Sequence, residues 1–471
     1  MSTSENMQVA NSATLFDRLE NLEPGLPHRR LMFKAGLGYT FDSFDGALMT
    51  YALSALIVIW NIPTGTSGWL LSAIFFGYLI GALGAGVLAD RFGRRRLMLC
   101  ALVIFTVFSV LTATASTTTE LFLWRVLAGI GMGAETTLIA PYIAEFLPAR
   151  VRGRLVARTV GFLAFGYILA GLVAPLVIGP NPETGWRIAA LLTAAPIVLL
   201  LWWRKSLPES PRYLISRGRI AEATAVIEEF ERQSGSRPPS STGNDDQGPE
   251  DTARATPPPP AQVSLTMQLA QLFSANLART TIVLWVLWFI LIGVNYGFTS
   301  WLPAMLVATK GFTITKSFVF ALITSIAQVP GYYLASLLID RFERKWLIAA
   351  YSGAAALAAL GLALAEAQIW LLVCAATLSA CTNGVAGIYY AYTAELYPTE
   401  IRTTGMGAAS AIGRVGAIAA PITIGYVYSW AGFTNVFLAL VGALTFAVVV
   451  IVVFGPRTTG RRLDKLEGET Q

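Results

Sequence analysis

Histidine is almost missing from this 471-residue chain: His28 is the single copy, and it stands ahead of the first long apolar run. A histidine proton relay inside the apolar segments is therefore excluded, and proton handling there would fall to carboxylates. Cysteine is scarce too. Cys100, Cys374 and Cys381 form an odd set inside apolar runs, which speaks against a disulfide framework or a metal site and reads as small packing residues. No Gly-x-x-x-x-Gly-Lys loop is present to cradle a nucleotide phosphate, and no Ser/His/Asp set is evident, so ATP-driven work and hydrolytic catalysis lack their residues. No catalytic residue, cofactor or metal is expected. Charge is in short supply as well, at 13% of residues against 55% hydrophobic, with mean hydropathy +0.59. A soluble protein carries about 25% charged residues, so the composition is that of a polytopic membrane protein. Residues 1–30 are polar and have no apolar core, which argues against a cleavable signal peptide.

What the chain has instead is a series of about twelve apolar runs, each near the ~20 residues a membrane-crossing helix needs. They begin near Leu31, Ser67, Leu97, Thr119, Leu155, Trp186, Arg279, Thr313, Trp346, Gln368, Thr403 and Gly432. The net charge of +6 is not a nucleic-acid signal, because of where it lies. Arg29–Arg30, Arg91–Arg96, Arg150–Arg154, Arg204–Lys205, Arg341–Lys345, Arg402 and Arg461–Arg462 all fall on one side of an even set of spans, and the opposite loops are nearly free of Lys and Arg. The positive-inside rule puts that side, and both termini, in the cytoplasm.

The runs repeat. Gly86–Arg96 (GVLADRFGRRR) recurs at Ala335–Lys345 (ASLLIDRFERK), an offset of 340 − 90 = 250. Tyr142, Glu145, Pro148 and Arg152 recur as Tyr392, Glu395, Pro398 and Arg402 at the same offset, and Asp45-Gly46…Tyr51 falls in register with Asn295-Tyr296…Trp301. One constant shift across three motifs means two like halves in the same orientation. The expected fold is all-α, with twelve transmembrane helices in two parallel six-helix halves. Parallel halves of this kind point to a transporter with its substrate site between them. The expected divisions are a leader at 1–30, one half at 31–206, a loop with short helices and a linker at 207–278, the other half at 279–455 and a tail at 456–471. Within the loop, Arg219–Gln233 has helical apolar spacing, while Ser234–Gln262, with Pro257–Pro260, is too polar to bury a core and reads as a disordered linker.

Polar groups inside the runs are the candidates for function, because a mid-bilayer charge costs about 2.5–3.5 kcal/mol even on permissive scales. Asp42 and Asp45 share a face of the first span. Counting about 1.5 Å per residue, Asp45 rises roughly 21 Å from the basic side, and Arg125 in the fourth span lies at the same height. The two are expected to pair, either for coupling or as a structural ion pair. Glu135, deeper toward the basic side, either lines the cavity or joins an inner salt-bridge network. Asn295, Tyr296 and Trp301 in the seventh span, Gln328 in the eighth, Asn383 in the tenth and Arg414 in the eleventh complete the substrate and proton candidates. For Trp301, an interfacial position is the competing reading. The charges at the helix ends, Asp90, Arg91, Arg94, Glu145 and Arg152 with Asp340, Arg341, Glu395 and Arg402, read as a gate on the basic side.

These motifs together resemble the major facilitator superfamily over residues 30 to 455. The carriers of the resemblance are the paired DRxGRR-type turns, Arg125-x-x-x-Gly129-x-Gly131-x-Gly133, the two Tyr/Glu/Pro/Arg motifs and Pro208-Glu-Ser-Pro-Arg-Tyr-Leu214. More narrowly they are similar to the sugar-porter-related branches. Phe41-Asp-Ser-Phe-Asp45 resembles the aspartate pair of aromatic acid:proton symporters. Leu15–Leu22, Gly133-Ala-Glu135 and Tyr296–Pro303 resemble the bacterial nicotinate-transporter and synaptic-vesicle-glycoprotein-like group. The sequence departs from the pattern at Glu343, which stands where the turn has glycine, and the glutamines of sugar sites are not evident in the seventh span. The fifth span only partly matches the glycine-proline pattern of drug antiporters. The resemblance implies proton-coupled uptake of a small organic carboxylate through an inner membrane. Burial and a nearby arginine pull an aspartate's protonation in opposite directions, so a proton on Asp45 is expected to free Arg125 to help hold the anion. A sugar or polyol carrier is the alternative, and an efflux antiporter stands third. The expected partners are a small-molecule substrate, a proton and membrane lipid, with no nucleic acid, the protein working as a monomer.

Overall fold

The computed structural model describes residues 14–195, 198, 202–203, 206–234, 265–275, 277–339, 341–398 and 401–457. Leader residues 1–13, most of the Ser234–Gln262 linker with Pro257–Pro260, Asp340 and the tail beyond Arg457 lie outside the described residues, as does the side chain of Asp90. Within them, every long apolar run is helical: in a bilayer each backbone N–H and C=O must find its partner inside the segment.

Spans one to four are Leu26–Ile59, Thr64–Phe92, Arg94–Thr114 and Thr118–Ala144. The fifth is broken between Ala149–Val160 and Leu163–Val177, and the sixth opens at Pro182–Leu192 and is described only in part beyond it. Spans seven to ten are Ala278–Lys310, Ile314–Leu338, Arg344–Leu364 and Gln368–Leu396. The stretch Arg402–Phe454 holds two spans, because Gly432 at φ 75° turns the chain between them. A side chain at that φ would be strained, and glycine is not. The total is twelve, in the two-halved arrangement expected.

The offset of 250 holds in three dimensions. Arg94 forms an ion pair with Glu145, and Arg344 with Glu395 at 2.9 Å. Arg152 Nε donates to the Leu147 carbonyl and Arg402 Nε to that of Tyr397. The Tyr142 hydroxyl donates to Pro208 O and the Tyr392 hydroxyl to Pro456 O. The two turns are not identical, however. Gly93 has φ +93°, whereas Glu343 begins its helix at φ −64°, so the second turn is built without a left-handed residue.

Small residues let spans two and four touch at the backbone. A Cβ on Gly77, Gly81, Gly129 or Gly133 would come within 1.9–2.3 Å of a carbonyl oxygen across the seam, the close approach that small-xxx-small spacing allows. Other contacts join the halves, and those named here lie toward the end opposite the basic turns. Ser72 Oγ donates to Ile418 O at 2.7 Å, Cβ atoms on Gly68 and Gly425 would meet Pro421 O and Thr64 O, Gly171 faces Leu322, and the Tyr51 and Phe318 rings sit 5.1 Å apart. Large apolar side chains such as Leu83, Leu176, Leu357 and Phe446 face outward.

At the basic end, a short helix at 14–20 packs Leu15, Leu19 and Leu22 into an apolar cluster with Phe146, Leu214, Ile227 and Phe230. The helix Ile220–Ser234 lies within a residue of the stretch expected from spacing.

Candidate substrate and proton site

Between the halves lies a cavity of about 100 Å³. That is below the roughly 300–1,000 Å³ of sites for drug-sized ligands, and suits a solute of one ring. The first half contributes Asp42, Ser43, Thr50 and Tyr51 from the first span, Phe75 and Tyr78 from the second, Met132 from the fourth and Tyr167 from the fifth. The second half contributes Tyr296 and Thr299 from the seventh, Thr324 and Gln328 from the eighth and Arg414 from the eleventh. Four of the candidates therefore line it: Asp42, Tyr296, Gln328 and Arg414.

Arg414 is its cation. Its guanidinium lies over the Tyr78 ring, 4.0 Å from the centroid, and donates to the Tyr78 hydroxyl at 3.1 Å and to that of Tyr296 at 3.5 Å. Tyr296 packs on Phe75 with centroids 4.7 Å apart. Among the described residues Arg414 makes no ion pair. A guanidinium fixed by phenol rings, with no carboxylate of its own, presents its fork to an anion.

Asp45 and Arg125 meet as the depth count predicts, with Arg125 Nη1 donating to Oδ1 at 3.1 Å and Nη2 to Oδ2 at 2.8 Å. Both side chains are at most 2% exposed. Neither lines the cavity. The fork that a proton on Asp45 is expected to free is filled by Asp45 here and lies off the cavity lining, whereas Arg414 faces the space.

Glu135 follows neither expected course. It is buried against Gly38 of the first span, joins no ion pair among the described residues, and leaves both carboxyl oxygens without a hydrogen bond. Trp301 is neither interfacial nor on the cavity; it is buried, with Nε1 donating to Pro421 O at 2.9 Å, and ties spans seven and eleven together. Asn295 and Asn383 bond to each other at 3.2 Å, with Thr382 on Asn295 and the Tyr332 hydroxyl on Asn383. They form a polar knot beside the cavity rather than part of its wall, because amides buried between helices satisfy one another.

The gate charges are in part rearranged. Within the set, Arg94 pairs with Glu145, but Glu395 pairs with Arg344, which the set left out, and Arg341 is exposed. The offset gives the reason, since 94 + 250 = 344, and the sequence held that signal. Arg91 is exposed, its carbonyl accepting from Arg217. Arg152 is met at 2.8 Å by Glu20 of the leader, which also holds Arg212 at 2.8 Å. Leader and loop thus supply partners that motif matching left out.

The family model described as "Sugar (and other) transporter" matches residues 26–469. The chain is 35% identical to the niacin transporter NiaP of Acinetobacter baylyi over 96% of this chain and 99% of that protein. It is 27% identical to the benzoate transport protein of the same organism, over 85% of this chain and 84% of that one. Among solved structures, the partially occluded inward-open xylose transporter XylE from E. coli is similar in fold, with TM-score 0.71 and 19% identity over 92% of this chain and 99% of that one. With its two repeated halves and the cavity between them, this chain is a multi-pass membrane transporter, not an enzyme, and it belongs to the sugar (and other) transporter family, within the major facilitator superfamily.

Proposed function

We propose that this transporter imports a small aromatic carboxylate together with a proton, across an inner membrane, with its basic end in the cytoplasm. The observation that carries the reading is Arg414, a guanidinium with no ion pair among the described residues, held by Tyr78 and Tyr296, the latter packed on Phe75, in a cavity about the size of one ring. The carboxylate would take the guanidinium fork, and the ring would lie among the aromatic faces. Asp42 on the opposite wall would carry the proton that accompanies the anion, with Asp45–Arg125 behind it fixing the first span to the fourth. The names of the niacin and benzoate relatives fit the same chemistry. With basic loops inside, the end sealed by Gly68, Ser72 and Gly425 is the outer one. Transport then proceeds by rocking of the halves about the central site. The cavity is built from one chain, so a single copy suffices, with lipid against the outward apolar side chains.

The test is uptake into proteoliposomes of nicotinate, benzoate, a hexose and a polyol, with and without an inward proton gradient. Gradient-stimulated accumulation of the aromatic acids is expected. Accumulation of the hexose or polyol alone would overturn the substrate class, and aromatic-acid accumulation indifferent to the gradient would overturn the coupling.

A further inference from the structure

Two buried carboxyl groups in the described spans have no ionic partner there, Asp42 and Glu135, and Thr136 links them: its hydroxyl meets Asp42, and Glu135 precedes it in the chain. Thr136 Oγ1 lies 2.6 Å from Asp42 Oδ2 and 2.8 Å from the Met132 carbonyl. One hydroxyl hydrogen serves only one of those two acceptors, and a proton on Asp42 Oδ2 completes both contacts. Asp42 Oδ1 has no partner. Glu135, the residue before Thr136, has neither oxygen bonded and is 1% exposed. It sits in the notch of Gly38, where a Cβ would come 2.8 Å from Glu135 Oε1. Gly38 lies four residues from Asp42, on the same helix face and one turn nearer the basic end. The line runs from the cavity through Asp42 and Thr136 to Glu135.

Among the described residues, the groups facing this line offer no free cation. On the first span, the Tyr39 hydroxyl donates to Thr136 O at 3.3 Å, and Asp45 is taken by Arg125. On the second span stands Tyr78, held by Arg414 from the eleventh. Trp203 closes the Gly38 side with its indole. A buried carboxylate lacking both hydrogen bonds and counter-charge is strongly disfavoured, so two negative charges at this place are excluded.

We propose that Asp42 and Glu135 form one proton-carrying pair, separate from Asp45–Arg125, which loads from the cavity and empties toward the basic end. In the step, the O–H bond of Asp42 breaks and the proton forms an O–H bond on Glu135. Asp42 is left as the carboxylate, accepting from the Thr136 hydroxyl, and takes a new proton from the cavity before Glu135 gives its own to water at the basic end. The pair carries at most one negative charge throughout. This rests on the proton-coupled reading above, and deepens it by assigning the inner terminus of the proton's path.

The first measurement needs no substrate: infrared difference spectra of the full-length protein in nanodiscs during a pH jump. A protonated-carboxyl band is expected that disappears in Glu135→Gln and is displaced in Thr136→Val. A band untouched by both substitutions overturns the pair, whatever the protein transports. The second is stimulation of nicotinate or benzoate uptake by an inward proton gradient, expected to fall about tenfold or more in Glu135→Gln and to return in Glu135→Asp, with melting temperature as the folding check. Full stimulation in folded Glu135→Gln overturns the pair. A wild type with no gradient-driven uptake sinks the coupling reading itself, and the infrared result still decides the pair.

Discussion

Two intramembrane arginines, Arg125 buried and Arg414 half-buried, sit near the middle of this protein, and their surroundings give them different work. Arg125 is filled by Asp45 on both oxygens, while Arg414 has only phenols. Removing one member of a buried ion pair leaves the other uncompensated, at about 3–5 kcal/mol. Asp45→Asn should therefore lower the melting temperature in detergent and reduce the folded yield on size exclusion; a stable, fully folded Asp45→Asn protein would contradict the pairing. Arg414→Lys keeps the charge but loses the fork. A charge-assisted hydrogen bond contributes about 1.5–3 kcal/mol, so KM for an aromatic acid should rise about 10- to 100-fold, with the melting temperature little changed. Concentration-dependent uptake checks this. Trp301→Phe makes a useful contrast, since its indole N–H serves Pro421 and not the cavity. Its loss should lower stability by about 1 kcal/mol and leave KM as it was.

At the scale of elements, glycines decide which helices touch. The seam of spans two and four has backbone atoms where side chains would stand, so Gly129→Leu should leave little folded protein on fluorescence-detected size exclusion, overpacking being as harmful as a void. A different consequence follows at the sealed end, where Cβ atoms on Gly68 and Gly425 would lie 2.7 Å from Pro421 O and 2.6 Å from Thr64 O. The two helices there belong to different halves, which can part without unfolding. Gly68→Trp should wedge that end open, stop uptake and make Ser72→Cys accessible to a thiol reagent added from the sealed side; continued uptake by this variant would show that the contact is not part of the cycle. The leader acts more weakly. Glu20 is partly exposed, and its ion pairs with Arg152 and Arg212 are each worth about 0.2–1 kcal/mol.

At the scale of the whole molecule, the halves are alike in their framework and unlike in their chemistry. The ion pairs at the helix ends and the two proline-bonded tyrosines obey the offset of 250, whereas among the described residues the buried carboxyls without an ion pair belong to the first half and the cavity guanidinium without one to the second. Rocking one half against the other changes the surroundings of both at once, as coupling of an anion to a proton requires. If the basic end is cytoplasmic, a tag placed after Gln471 should be reached by antibody only in permeabilised cells; labelling of intact cells would reverse the assignment.

The sequence by itself determined the helices, their number, the duplication and the Asp45–Arg125 pair. Each follows from a local or one-dimensional cause: backbone groups that must be satisfied within an apolar run, a constant offset, and a rise per residue that sets depth. Depth is a single coordinate, however, and it does not say which way a side chain points around its helix. Arg125 and Arg414 were both legible as intramembrane charges, but only the packing of spans one, four and eleven turned the first away from the cavity and the second into it. The same rotation put Trp301 between helices, knotted Asn295 to Asn383, and pressed Glu135 into the notch of Gly38 beside Asp42.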